Sequence, residues 1–237
     1  MTRFTPARFT FGLLSAVAVL ALSPGQSSAA QATSSPWAFE IGAATDNRSK
    51  DVSKSAGDPY AWGAATWSSD AGFYAGPAFE TIRASNGSRV ELAVFGGWAS
   101  EVMGYEVDLN AEHKWQVDAD AASDDAAWEF TADISRAIGP VEARLRLQHS
   151  PDGTGSTRAW TWVSGRVGWE LSPRLSTSAE VGRREQNGGV DYTGWNLGMT
   201  WAAARGIDLD LRWHDNDADA TGEQYDGALV ASVSYAF

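Results

Sequence analysis

The 237-residue chain contains no cysteine. That absence excludes a disulfide framework, thiol chemistry, cysteine-ligated zinc and an N-terminal lipid carried on cysteine. Long hydrophobic runs are also missing beyond residue 32, so nothing in that part can cross a bilayer as a helix. Basic residues are few: 18 Lys and Arg stand against 30 Asp and Glu, a net charge of −12, which argues against nucleic acid as a partner. Catalytic signatures are wanting as well. The three histidines, His113, His149 and His214, accompany no serine in a nucleophile context, no HxxxH pair and no Gly-x-Ser-x-Gly elbow. The chain is therefore expected not to be an enzyme and to use no catalytic residue, metal or cofactor.

Arg3 and Arg8 precede the apolar run from Phe9 to Leu22, then come Pro24, Gly25 and the small residues Ser28-Ala29-Ala30. This is the layout of a cleavable Sec-type secretory signal over 1–30, and the run is too short for a comfortable membrane helix. Cleavage after Ala30 or Ala32 fits equally. Loss of Arg3 and Arg8 takes the charge from −12 to −14.

From Trp37 onward the chain repeats about ten residues of alternating polarity followed by a connector rich in Gly, Asp, Ser or Asn. The spacing predicts twelve strands, near 37–45, 60–67, 72–82, 89–97, 104–115, 127–136, 141–149, 158–170, 174–184, 191–201, 206–214 and 227–237. Connectors alternate between mostly longer ones (46–59, 83–88, 116–126, 150–157, 185–190, 215–226) and short ones such as 68–71, 137–140 and 202–205. Long outer loops and short periplasmic turns are the arrangement of an outer-membrane barrel. The faces agree: Tyr105, Val107, Leu109 and Ala111 oppose Glu106, Asp108, Asn110 and Glu112, and Val141, Ala143, Leu145 and Leu147 oppose Glu142, Arg144, Arg146 and Gln148. An exported chain without a membrane helix crosses a bilayer only as a closed barrel, so the predicted fold class is an all-β, transmembrane, antiparallel up-and-down barrel over 31–237.

Of the 12 Trp, Trp37, Trp67, Trp98, Trp115, Trp128, Trp169, Trp195, Trp201 and Trp213 fall on or close to the apolar phase, most near strand ends. That placement suits an aromatic girdle at a lipid interface. At the C-terminus Leu229, Ala231, Val233, Tyr235 and Phe237 alternate with Val230, Ser232, Ser234 and Ala236. Tyr235 and the final Phe237 resemble the signal that outer-membrane proteins present to the barrel-assembly machinery.

Trp37 with Gly42 and Asp46, Gly57-Asp58-Pro59, Gly72-Phe73-Tyr74-Ala75-Gly76 and Ser150-Pro151-Asp152 occur in an order and spacing that resembles the TorF porin family across nearly all of the chain after the signal. The resemblance implies a barrel with a pore and says little about a solute. The first loop departs from the family's aromatic and Arg-Gly pattern, carrying Asn47, Ser49, Lys50 and Asp51 instead.

The lumen phase collects Glu40, Glu80, Glu91, Glu106, Asp108, Glu112, Glu129, Asp133, Glu142, Glu180, Asp208 and Asp210 against Arg144, Arg146, Arg166, Arg184 and Arg212. Twelve strands give a barrel between the filled eight-stranded kind and wide porins. The expected function is passive diffusion of small hydrophilic solutes, and the acidic excess predicts a preference for small cations. The alternative is a structural or adhesive barrel closed by ion pairs, since buried charges must be paired or wet. Trp160 and Trp162, with Arg158 and Arg166, offer a stacking platform if they face inward, although a bulge could turn them out. Asp215, Asp217, Asp219, Glu223 and Asp226 have part of a calcium-loop spacing without its glycine. With Asp118, Asp120, Asp124 and Asp125 they read as solvated acidic loops. The partners expected are outer-membrane lipid, lipopolysaccharide, the assembly machinery and small solutes.

Overall fold

A segment that alternates polarity residue by residue can meet two different solvents only if it is extended, because successive side chains of a strand point to opposite faces. The computed structural model describes residues 35–237 apart from 122 and 156; the expected leader, 1–30, lies outside the described residues. In chain order the strands are β1 (Trp37–Ala44), β2 (Arg48–Ser49), β3 (Val52–Ser53), β4 (Tyr60–Ser68), β5 (Phe73–Thr81), β6 (Val90–Val102) and β7 (Tyr105–Val117). They continue with β8 (Ala126–Ile138), β9 (Val141–Ser150), β10 (Trp160–Ser172), β11 (Leu175–Gln186), β12 (Tyr192–Ala204), β13 (Ile207–Asn216) and β14 (Ala228–Ala236).

Twelve of these close a single antiparallel barrel, as the period-two pattern predicts, while β2 and β3 pair as a separate small hairpin. Each barrel strand pairs with its neighbours in sequence, and closure leaves no unpaired edge. The seam between β1 and β14 runs from Glu40 opposite Ala236 to Ala44 opposite Ser232. It is short beside the β6–β7 ladder, which runs from Val90 opposite Val117 to Val102 opposite Tyr105. Phe237 finishes the seam: its amide donates to Phe39 O and Phe39 donates back to Phe237 O, both at 3.0 Å. The Phe237 ring stacks on Phe39 and Tyr235, with centroids 5.6 and 5.1 Å away.

Several strands extend further than the alternation indicates. Ala137, Ile138 and Ala202–Ala204, read from sequence as connector, belong to β8 and β12; β6 continues to Val102, and β10 starts at Trp160 and not at 158. Four of the five connectors at that end are accordingly two-residue turns, Met103-Gly104, Gly139-Pro140, Pro173-Arg174 and Arg205-Gly206, and the fifth, between β4 and β5, has four residues. Met103 and Gly104 both have positive φ, 56° and 79°. That is the hand of turn matching the strand twist, and it favours glycine at such a site. Asp46 lies two residues past the end of β1, in the connector. All the longer connectors sit at the opposite end, hereafter the long-loop end.

The outward rows are apolar. Leu145, Leu197 and Val181 are 64, 60 and 54 % exposed along the middle of their strands, a surface that water does not tolerate but lipid does. Outward Trp37, Trp67, Trp169 and Trp201 ring the short-turn end, and Trp128, Trp195 and Trp213 ring the long-loop end. These two belts place indoles where a ring can be buried and its N–H kept wet.

Candidate functional site

Strand parity decides which side chains meet inside. Glu40 on β1, Glu80 on β5, Glu91 on β6, Glu106, Asp108 and Glu112 on β7, and Glu129 and Asp133 on β8 stand on inward rows. So do Glu142, Arg144 and Arg146 on β9, Arg166 on β10, Glu180 and Arg184 on β11, and Asp208, Asp210 and Arg212 on β13. An acidic arc over β5–β8 thus faces an arginine-rich arc over β9–β13. Within the second arc Arg146 grips Asp133 with two hydrogen bonds of 2.8 and 2.6 Å, Arg144 meets Glu180 at 3.1 Å, and Arg212 meets Asp210 at 3.1 Å. Tyr74 donates to Asp108 at 2.5 Å, and Thr200 to Asp210 at 2.7 Å.

Trp160 and Trp162 face inward and are almost wholly buried, so β10 has no bulge that turns them out. The sheet makes room for them with glycine: a Cβ on Gly182 would lie 2.1 Å from the Trp162 ring, and one on Gly42 equally close to Trp62. Trp62 is a third inward indole, which donates to Glu40 at 3.5 Å.

The connector after β1 does not stay outside. Its hairpin, β2 and β3, turns through Lys50 and Asp51, both left-handed at φ 54° and 64°. Non-glycine residues pay for that conformation and keep it only where the surroundings fix them. Here they are fixed from all sides. Asp51 Oδ1 accepts from Asn196 on β12 at 2.9 Å and lies 2.8 Å from His214 Nδ1 on β13. Tyr192 on β12 donates to Lys50 O at 2.9 Å, and Asn216 on β13 to Asp51 O at 3.3 Å. Lys50 Nζ lies 4.1 Å from the Trp160 ring centroid and 3.9 Å from Glu129 on β8. Lys54 pairs with Glu80 and, at 2.9 Å, with Glu91. Asn47 donates to Glu80 at 3.1 Å. The loop therefore crosses the lumen at the long-loop end and touches β5, β6, β8, β10, β12 and β13.

Its base is held by Asp46, which accepts from Ser53 and Arg48 at 2.5 Å and Ser55 at 2.8 Å. Burial alone would raise this carboxyl, but those hydrogen bonds hold it below the usual carboxylate range. Lys54 is likewise held above the ordinary lysine value by Glu80 and Glu91, against the effect of burial. Lys50 goes the other way. Burial pushes it down to about 7; Glu129 offsets part of that, while Lys114, Arg184 and Lys54 add to it. Its charged form is disfavoured in the folded chain, so the cost is present in full below about pH 7 and is relieved as pH rises toward 10.5. Urea unfolding should accordingly show wild type gaining stability relative to Lys50→Met between pH 7 and pH 10. A difference between the two that stays flat over that window would refute the assignment.

Arg48, Lys50, Asp51 and Lys54 were not among the lumen residues expected from sequence, nor was Lys114. Lys114 shares the parity of Glu112 and sits amid Glu129 at 3.0 Å, Glu112 at 3.4 Å and Glu91 at 3.9 Å. Parity could have found it. For the loop residues the available signal was the density of charge in a connector long enough to reach inward.

The barrel is similar to solved outer-membrane proteins at low sequence identity. The KdgM porin matches with a TM-score of 0.60 at 7 % identity, covering 84 % of this chain and 99 % of that one. The NanC porin matches at 0.56 and 8 %, covering 84 and 98 %. An outer membrane channel from Pseudomonas putida F1 matches at 0.57 and 10 %, covering 86 and 96 %. No curated protein matches the chain. A family model spanning residues 29–236 does match, and by it the chain belongs to the family described as bacterial protein of unknown function (Gcw_chp).

Proposed function

We propose that this chain is an outer-membrane channel through which small hydrophilic solutes diffuse passively, with the connector after β1 as its constriction. The observation that carries the reading is an inward surface that is polar and charged within a twelve-stranded barrel whose outward surface is apolar. A barrel meant only as an anchor has no need to line its axis with charge. The resemblance to the TorF porin family and the likeness to porin barrels support it. On this reading 1–30 directs export, Tyr235 and Phe237 are presented to the assembly machinery, and lipopolysaccharide packs on the outward face.

The same connector favours a second reading, a structural or adhesive barrel, because its anchors on six strands narrow the lumen. Planar-bilayer recording separates the two. Discrete single-channel steps are expected from the refolded chain, and deletion of residues 48–53 should enlarge them. A barrel that is correctly folded yet carries no current, even after that deletion, would leave only the structural reading.

A further inference from the structure

One cation of the arginine arc forms no direct ion pair among the described residues. Arg166 is 7 % exposed, pairs with no carboxylate among the described residues, and leaves its Nη1 without a hydrogen-bond partner. The register sets it directly opposite Arg144 on β9 and Glu180 on β11. Like charges directly opposite on a sheet are destabilising. Glu180 is engaged by Arg144 at 3.1 Å and Asp210 by Arg212 at 3.1 Å. Arg166 Nη2 instead donates to Ser178 Oγ at 2.9 Å, and Arg212 Nη2 donates to the same oxygen at 3.1 Å. Two guanidinium groups therefore converge on one hydroxyl beside a third, Arg144, whose Nε is also unpartnered. Glu142, the inward carboxylate on β9, acts on Arg166 from a distance but forms no ion pair with it among the described residues.

We infer that Arg166, with Arg144, Arg212 and Ser178, binds a single oxyanion, the carboxylate or phosphate group of a small solute in transit. The inference rests on the channel reading for its purpose but not for its chemistry. A buried guanidinium with no direct ion-pair partner is costly, and its fork of donors fits a planar carboxylate or a phosphate edge. The approach is cationic too. Nearer the long-loop end Arg184, its Nε unpartnered, lies 4.9 Å from the Trp160 ring, which Lys50 also covers. An anion entering past the loop tip meets Arg184 before it reaches Arg166.

Malonate and inorganic phosphate are suitable probes, titrated at constant ionic strength against the folded barrel in detergent, with sucrose as the neutral control. The thermal midpoint of wild type should rise saturably with at least one of them, and the arm that responds tells carboxylate from phosphate. Arg166→Gln should raise the half-saturating concentration about tenfold or more, the loss of a charge-assisted hydrogen bond, and should raise the midpoint without probe by removing the repulsion with Arg144. Arg166→Lys retains the charge without the fork; its response should be intermediate, and it carries the test if the glutamine variant fails to fold. Arg183→Gln, on the outward face of β11, should respond like wild type. No midpoint shift with either probe, or an Arg166→Gln response equal to wild type, would overturn the site. Because binding is read without a bilayer, a barrel that binds but does not conduct counts against the channel alone, and one that conducts but binds neither probe counts against the site alone.

Discussion

Lys114→Met is expected to destabilise the barrel by about 3–5 kcal/mol, the range found when one partner of a buried ion pair is removed. Lys114 is the cation shared by Glu129, Glu112 and Glu91, and its side chain is 7 % exposed. Methionine fills much the same volume and returns no charge, so packing is preserved while three carboxylates lose their common partner. Lys54 still reaches Glu91 and Lys50 still approaches Glu129, which softens the loss at those two carboxylates. The measurement is a urea unfolding midpoint in detergent or lipid. A midpoint within experimental error of wild type would mean that water, and not Lys114, solvates those carboxylates. Glu112→Gln in the Lys114→Met background should then recover part of the loss only if the ion-pair account holds.

The second large effect separates the two faces of the wall. Leu145→Arg puts a cation on the outward row near mid-strand, where a charge on the lipid face costs about 2–4 kcal/mol. Thr131→Arg, on the inward row of neighbouring β8, places the same side chain between Glu129 and Asp133. It should fold nearly as wild type. Heat-modifiable migration on gels after refolding into vesicles reports both variants, and equal loss of the folded band from the two would contradict the assignment of faces.

Parity along the strands carries most of what could be read in advance. The twelve strands, their order and the inward rows from Glu106 and Asp108 to Arg144 and Arg146 all follow from alternation, because a closed sheet with unlike solvents on its two faces leaves each side chain only two choices. Pairing was not legible in the same way. Counting inward charges yields an acidic excess and hence an expected preference for cations. The structure redistributes that excess: Glu80 and Glu91 meet Lys54, Lys114 sits among the acidic arc, and Asp133 is held by Arg146, whereas Arg166 forms no ion pair among the described residues. Lys50 and Asp51 reach partners 142 and 163 residues away in the chain, Tyr192 and His214. No periodic signal encodes such contacts. The inward indoles were ambiguous for a related reason, since Trp162 needs a missing side chain at Gly182 and that vacancy becomes visible only when the register is known.

The short joint between β1 and β14 has a kinetic side. Every other ladder of the barrel unites neighbours in sequence, whose ends are brought together by a turn or a modest loop. This one unites residues 40–44 with 232–236, so it is the least local pairing in the molecule and the one whose loop entropy is recovered last. Until it forms, eleven successive ladders amount to a curved ribbon with two bare edges, β1 and β14, each able to recruit a foreign strand. The conversion of ribbon to cylinder hangs on a few rungs and on the reciprocal amide pair of Phe39 and Phe237. A polypeptide built this way acquires its rigidity at the end of folding and in one step, at the place where it has the least backbone with which to secure it.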